Sequence, residues 1–385
     1  MLDLPLPRLL LQLVAPRLPE MAQTLQRLVV AESPSLEKPA ADRCAHLLAG
    51  EWKKRGAQVQ LLRSKSRGDH VRAVIDPSGG KSAGQILVLG HYDTVFSSGT
   101  LKKMPFRIRG GKAYGPGAFD MKGGIVQALY ALEALQQARV KLRKRIVFLW
   151  TSDEEVGSVD SERIIEKEAR RSDAALVLEP SYGPQGLLKT ARKGVGFLEM
   201  IVHGKSSHAG LAPEEGVNAV HELARQILRI GKWTDLRRGV SASVTVIEGG
   251  TRTNVIPDRA RAMIDLRALT LADMRKLEKQ LAALRPEARG ARIEIRGGSS
   301  RAPLERKMTT ALFARAQHLA AQMGLPLGEC SVGGGSDGNI TASLGVPTLD
   351  GLGAVGAGAH SADEHLLLRT MPERAALVAA LLASL

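Results

Sequence analysis

"RIVFLWTSDEEVGS", residues 145–158, decides how this chain is read. Positions 146–151 form a short apolar run ending in threonine, the pattern of a buried strand. Three acids follow almost at once: Asp153, Glu154 and Glu155. Carboxylates at the end of a buried strand are costly without a partner. The junction therefore asks for a cation or a dense set of donors.

The same design recurs on either side. "QILVLG" (85–90) is an apolar run that ends at His91, and "AALVLEP" (174–180) is another, stopped by Pro180. Between them "MKGGIVQALYALEALQQARV" (121–140) has helical periodicity. Apolar strands separated by helices predict an α/β layer with a mostly parallel sheet. Residues 18–66 read as helical, their pattern closing on Gly56. After Pro180 the pattern changes. Strands are expected at 195–204, 240–250, 258–268 and 291–297, with helices at 213–230 and 271–285. That order is βαββαβ, a ferredoxin-like unit with its helices on one face. From about residue 300 the helix–strand alternation resumes. The expected organisation is an α/β domain of residues 1–182 and 298–385, with a small domain, 183–297, inserted.

At 385 residues the chain is too long for one simple core. Hydrophobic content of 44% and charged content of 24% are ordinary for a globular protein. Aromatics at 3% argue against stacking platforms for nucleic-acid bases. The net charge of +15 suggests anionic partners but says little about chemistry. Basic runs such as "KLRKR" (141–145) fall at element boundaries and read as solvated surface, so no nucleic-acid partner is expected. Cys44 and Cys330 are far apart and outside any CxxC pair, which leaves them as small buried apolar residues. The opening "MLDLPLPRLLLQLVAPRLPEM" begins with an acid and lacks a basic n-region. It reads as an amphipathic helix, and a cytoplasmic location without membrane partners is expected.

In open α/β sheets ligands gather at the carboxyl ends of strands. Here those ends carry His91 and Asp93 in "GHYDTVF", Glu154 and Glu155 in "TSDEEVGS", and Glu179 in "LEP". Asp120 precedes a helix in "YGPGAFDMKGG", and His360 sits in "GAHSADE". Each alone has a plain explanation: Asp120 as a helix N-cap, Glu179 as half of an ion pair. Together they would need a separate rescue each, whereas one multivalent cation site accounts for all. Two histidines with carboxylates suit Zn²⁺ better than Mg²⁺ or Ca²⁺, with Mn²⁺ or Co²⁺ as substitutes.

With "GKSSHAG" and "GGGSDGN" added, these motifs resemble the co-catalytic zinc metallopeptidase family. That family includes aminoacylase, succinyl-diaminopimelate desuccinylase, acetylornithine deacetylase and glutamate carboxypeptidase. The resemblance runs from about residue 85 to the C-terminus. It implies two Zn²⁺ per subunit bridged by Asp120, with His91 and Glu179 completing one site and Glu155 and His360 the other. Glu154 would be the general base and acid for a metal-activated water, and Asp93 would orient His91. Read as successive extended residues, Glu154 and Glu155 point to opposite sides, Glu155 to a zinc and Glu154 to the water. The inserted domain would be a lid and dimerisation domain, and His208 of a partner subunit would stabilise the oxyanion. Asp153 is left as a loop hydrogen-bonder.

The same resemblance assigns Asn254 to the reacting group and Arg267 to a substrate carboxylate, which a guanidinium fork matches bidentately. Gly335 and Ser336, in the Gly-rich loop, would hold the free α-carboxylate. "GGGSDGN", "GAHSADEH" and "HYDTVF" lean to the glutamate carboxypeptidase branch. Lys189, Arg192 and Lys193 match no known side-chain pocket. The expected activity is release of a C-terminal amino acid from a peptide or small-molecule amide by a homodimer. An N-acyl amino acid deacylase or a dipeptidase is the alternative.

Overall fold

The computed structural model describes residues 4–77 and 82–385. The chain divides into two compact units. One holds the residues up to Thr190, Arg306–Ser331 and Ser336–Leu385; the other holds Ala191–Glu305 with Val332–Gly335. The bounds of 183–297 drawn from sequence lie a few residues earlier at each end. The final strand, Arg292–Arg301, continues beyond the apolar stretch that announces it.

The larger unit is built on a six-stranded sheet. Its order is Gln58–Leu62, His70–Ile75, Arg145–Thr151, Gln85–His91, Ala174–Val177 and Thr348–Leu349. Only His70–Ile75 runs against the rest. Side chains alternate between two covered faces. Ile86, Val88, Ile146, Phe148 and Trp150 join one core cluster, and Leu87, Leu89, Val147 and Leu149 another. Coverage on both faces is why these strands read as unbroken apolar runs.

Residues 18–66 are not helical throughout. The helices Leu18–Val30 and Lys38–Lys54 are followed by the strand Gln58–Leu62. Gly56, at φ +78, ends the helical run, and the half-exposed "QVQLL" that follows has strand alternation too brief to stand out. The helix Gly123–Gln137 forms an inner layer against the sheet; of its fifteen residues only Glu133, Gln136 and Gln137 are not buried. Helices Leu6–Val14, Leu18–Val30 and Met371–Ser384 pack over it.

The smaller unit has the expected βαββαβ order. Its antiparallel sheet runs Ser241–Gly249, Arg259–Ala268, Gly194–His203, Arg292–Arg301. Met200, Val202, Ala262, Ile264 and Leu266 pack against Leu223, Ile230, Met274 and Leu277 of two helices. The first of these helices starts at Ala219 rather than 213. Asn218 caps it by accepting the N–H of His221 (3.0 Å), and residues 213–215 form a separate 3₁₀ turn. Cys44 is buried, but Cys330 is only half-buried. Among the described residues no helix is long and apolar enough to cross a membrane.

Candidate metal centre

Three neighbouring strands deliver the site. Gln85–His91 pairs in parallel with Arg145–Thr151 on one side and Ala174–Val177 on the other, with His91 opposite Thr151. Residues just past the three strand ends, Asp93, Glu154, Glu155 and Glu179, are thereby gathered at one edge. Asp120 comes from the irregular turn Ala118–Lys122 that opens the buried helix Gly123–Gln137. Gly124 makes that junction possible. A Cβ there would lie 2.2 Å from the backbone oxygen of Leu178, one residue before Glu179. His360 sits in the left-handed region at φ +63, uncommon for a residue with a Cβ and frequent at functional sites.

The side chains form two groups that share Asp120. His91, Asp120 and Glu179 make one, and Asp120, Glu155 and His360 the other; within each, the donor atoms lie within 4.8 Å of one another. His91 Nε2 is 3.4 Å from Asp120 Oδ1 and 3.3 Å from Glu179 Oε1. His360 Nε2 is 3.6 Å from Asp120 Oδ2 and 3.0 Å from Glu155 Oε1. Asp120 thus turns one oxygen to each group, and its buried Oδ1 accepts no hydrogen bond. An orphaned carboxylate oxygen among imidazole nitrogen and further carboxylates fits a divalent cation better than any protein donor present.

The charge balance agrees. Burial alone would push His91 down, but Asp120, Asp93 and Glu179 hold it well above the usual imidazole range. Hydrogen bonding to Glu155 lifts His360 to about 9, with the charges of Glu155 and Asp120 adding to it against partial burial. Burial raises Glu155, and Asp120 adds to the rise while His360 and His91 oppose it. Three carboxylates outnumber the positive charge available, so the imidazoles hold protons where cations would serve.

A second layer fixes the first. His91 Nδ1 lies 3.1 Å from the backbone oxygen of Asp93, which turns Nε2 toward Asp120 and Glu179. Asp93 accepts from Ser35 Oγ (2.6 Å) and from the N–H groups of Glu154 and Glu155 (3.3 Å each). Glu154 and Glu155 are therefore not successive extended residues. They open a 3₁₀ turn, Glu154–Val156, closed by Gly157, because their N–H groups are drawn to Asp93. Asp153 is buried and accepts from the N–H groups of Asp160 (2.8 Å) and Ser161 (3.2 Å), a loop hydrogen-bonder.

Two residues escaped sequence reasoning. Buried Glu364 accepts the N–H groups of Phe119, Asp120 and Gly117 at 2.9, 3.0 and 3.1 Å, and so shapes the turn that presents Asp120. Burial raises its carboxyl to about 7. Lys122, also buried, donates to the backbone oxygen of Leu28 (3.0 Å). A charged residue beside an apolar helix start, and a second acid in "SADEH", were the available signals.

The smaller unit brings His208 and Asn254 together. Ser207–His208 pairs with Val255–Ile256, and Ala209 N–H donates to the Asn254 backbone oxygen (2.9 Å). His208 Nδ1 accepts from the N–H groups of Gly210 and Leu211 (3.1 Å each), which places the ring proton on Nε2. Arg267 is forked onto Asp265 at 2.8 and 2.8 Å and lies over the Phe197 ring. Gly335 offers its carbonyl to Arg192 (3.2 Å). Ser336, in the larger unit, is fully buried. Its hydroxyl donates to Asp350 (2.5 Å) and its N–H to Asn339 (3.0 Å), so these groups serve the loop's own fold in this conformation rather than facing a ligand. Lys189 Nζ lies 4.0 Å from Glu179 Oε2.

Residues 87–384 match Peptidase family M20/M25/M40. Carboxypeptidase G2 of Pseudomonas sp. (strain RS-16) is 32% identical, over 95% of this chain and 89% of its own. A succinyl-diaminopimelate desuccinylase of Stenotrophomonas maltophilia (strain R551-3) is 28% identical, over 84% of this chain and 88% of its own. The crystal structure of aminopeptidase PepT from Bacillus cereus superposes with a TM-score of 0.80 at 22% identity, covering 95% of this chain and 98% of that one. The chain belongs to peptidase family M20/M25/M40 and is a metallohydrolase of that family.

Proposed function

We propose that this metallohydrolase releases a C-terminal amino acid by cleaving the amide bond before it, in the manner of a glutamate carboxypeptidase. One observation carries the chemistry: Asp120 turns its two oxygens to two separate His–carboxylate groups. His91, Asp120 and Glu179 would hold one Zn²⁺, and Asp120, Glu155 and His360 the second. When bound, such a pair supplies Lewis acidity and lowers the pKa of water to near neutrality.

The chain's own residues do the rest. Glu154 takes a proton from the attacking water and returns it to the leaving amine. Asp93 holds the Glu154 N–H and the His91 ring. His208, acting from a partner subunit, donates its Nε2–H to the developing oxyanion. Arg267 exchanges Asp265 for the substrate carboxylate, and Asn254, braced beside His208, orients the reacting group. The inserted unit serves as lid and dimerisation surface, and the enzyme works as a cytoplasmic homodimer.

Similarity to carboxypeptidase G2 over nearly the whole chain supports the carboxypeptidase reading. Similarity to a desuccinylase keeps an N-acyl amino acid deacylase, or a dipeptidase, as the second reading. The test is one panel assayed on the zinc-loaded protein: N-acyl-glutamates, folate-like conjugates, dipeptides and acetylated amino acids. Peptides and conjugates ending in glutamate should turn over fastest. Faster turnover of acetyl-amino acids would transfer the assignment to a deacylase.

A further inference from the structure

A cavity of about 360 Å³ lies in the larger unit, bounded by the turn at 184–186, the loop at 325–327 and the start of the helix Met371–Ser384. None of its lining residues belongs to the candidate metal centre. Its buried cation is Arg374, only 5% exposed. One guanidinium N–H group, on Nη2, donates to the Gly186 carbonyl. Among the described residues the side chain makes no further hydrogen bond and no ion pair. A guanidinium carries five N–H donors, and a buried cation without a counter-charge is unfavourable. Burial accordingly pushes Arg374 down to about 10, opposed by the charge of Glu373, which also lines the cavity.

The surroundings are shaped for this group. Gly186 has φ +66, and a Cβ there would lie 2.8 Å from both Arg374 Nη2 and Val355 Cγ2. The turn therefore closes on the guanidinium more tightly than any other residue would permit. Facing it are Leu325, Leu327 and Leu377, and exposed Arg369 stands at the rim. A cationic fork beside an apolar wall is complementary to a molecule with one carboxylate and an apolar body.

We propose that this cavity is a binding site for a small organic carboxylate, its head paired with Arg374 and its apolar body against Leu325, Leu327 and Leu377. The probe is octanoate, with 1-octanol as its uncharged counterpart. Crystals of the intact, metal-loaded protein are soaked in octanoate, and thermal unfolding is followed with each probe for the wild type and for Arg374→Met. Octanoate density against Arg374 is expected, with a rise in Tm that 1-octanol does not reproduce and Arg374→Met abolishes. Octanoate found only at the metal centre, or nowhere, overturns the proposal, as does an equal Tm rise in Arg374→Met. The wild-type crystal decides the matter alone if that variant does not fold.

Discussion

Gly124→Ala tests how tightly the candidate centre depends on one helix–strand contact. The added methyl would lie 2.2 Å from the Leu178 carbonyl oxygen, and real Cβ contacts essentially never fall below 3.0 Å, so helix and strand must part by at least 3.0 − 2.2 = 0.8 Å. Overpacking of this kind costs about 1–3 kcal/mol. Replacing glycine by alanine inside a helix returns about 1 kcal/mol. The net loss of stability is therefore about 0–2 kcal/mol, a folded protein. The geometry suffers more. Asp120 lies at the start of this helix and Glu179 just after Leu178, so the displacement falls directly between two members of one group. A misplacement of about 1 Å can reduce turnover by about 100-fold. We expect unfolding to change little while zinc affinity, read by chelator competition, and kcat/KM both fall steeply. Gly231→Ala is the control, because nothing lies within 4 Å of a Cβ there at the end of an ordinary helix. Activity in Gly124→Ala within a factor of a few of wild type would refute the reasoning.

Glu154→Gln should keep both metals by elemental analysis and lose about 10²–10⁴ of turnover; full activity would remove Glu154 as the base. Arg267→Ala should mainly raise KM for substrates with a free carboxylate, and an unchanged kcat/KM would exclude it as the clamp. Glu222, buried in the small unit, accepts from Gln226 and from the N–H groups of Glu287 and Ala288, and these donors with Arg225 outweigh burial and hold its carboxyl low. A depressed pKa contributes stability that is present above the unfolded value and lost as pH falls through the folded one, so Glu222→Gln should be destabilised at neutral pH and less sensitive to acid in urea melts. In chelated protein the sign reverses at His360: raised to about 9, it contributes fully below the unfolded value of about 6.5 and loses that contribution as pH rises through 9. Metal loading should abolish this alkaline loss; melts of the chelated protein that are flat from pH 7 to 10 would contradict it.

Much of the site was legible because strand ends and acids coincide in the sequence. An apolar run that stops at His91, at "SDEE" or at Glu179 announces both a buried strand and a costly charge. The small unit was legible for a related reason: its sheet has one face packed on helices, so alternation survives in "RARAMIDLRA". The strands Gln58–Leu62 and His70–Ile75 were not read: the first is a half-exposed edge with little hydrophobic pattern, and the second, internal and mostly buried, is interrupted by Arg72, which pairs with Glu168. Backbone partners were equally hidden. Glu364 matters through three N–H groups of a turn more than 240 residues earlier, and the 3₁₀ turn at Glu154 arises from donors drawn to Asp93. Ser336 shows the converse. Its Gly-rich setting reads as an open loop, but the hydroxyl and N–H are used internally.

The inner helix Gly123–Gln137 has a consequence for how the molecule breathes. Covered by the sheet on one side and by three helices on the other, its amides should exchange with solvent only through global opening. Asp120 is joined to that slow element, and His91 to a wholly buried strand. His360 belongs to the other extreme, half exposed on a loop. The centre thus has a fixed wall and a loose one, and hydrogen exchange should separate them by many orders of magnitude in rate.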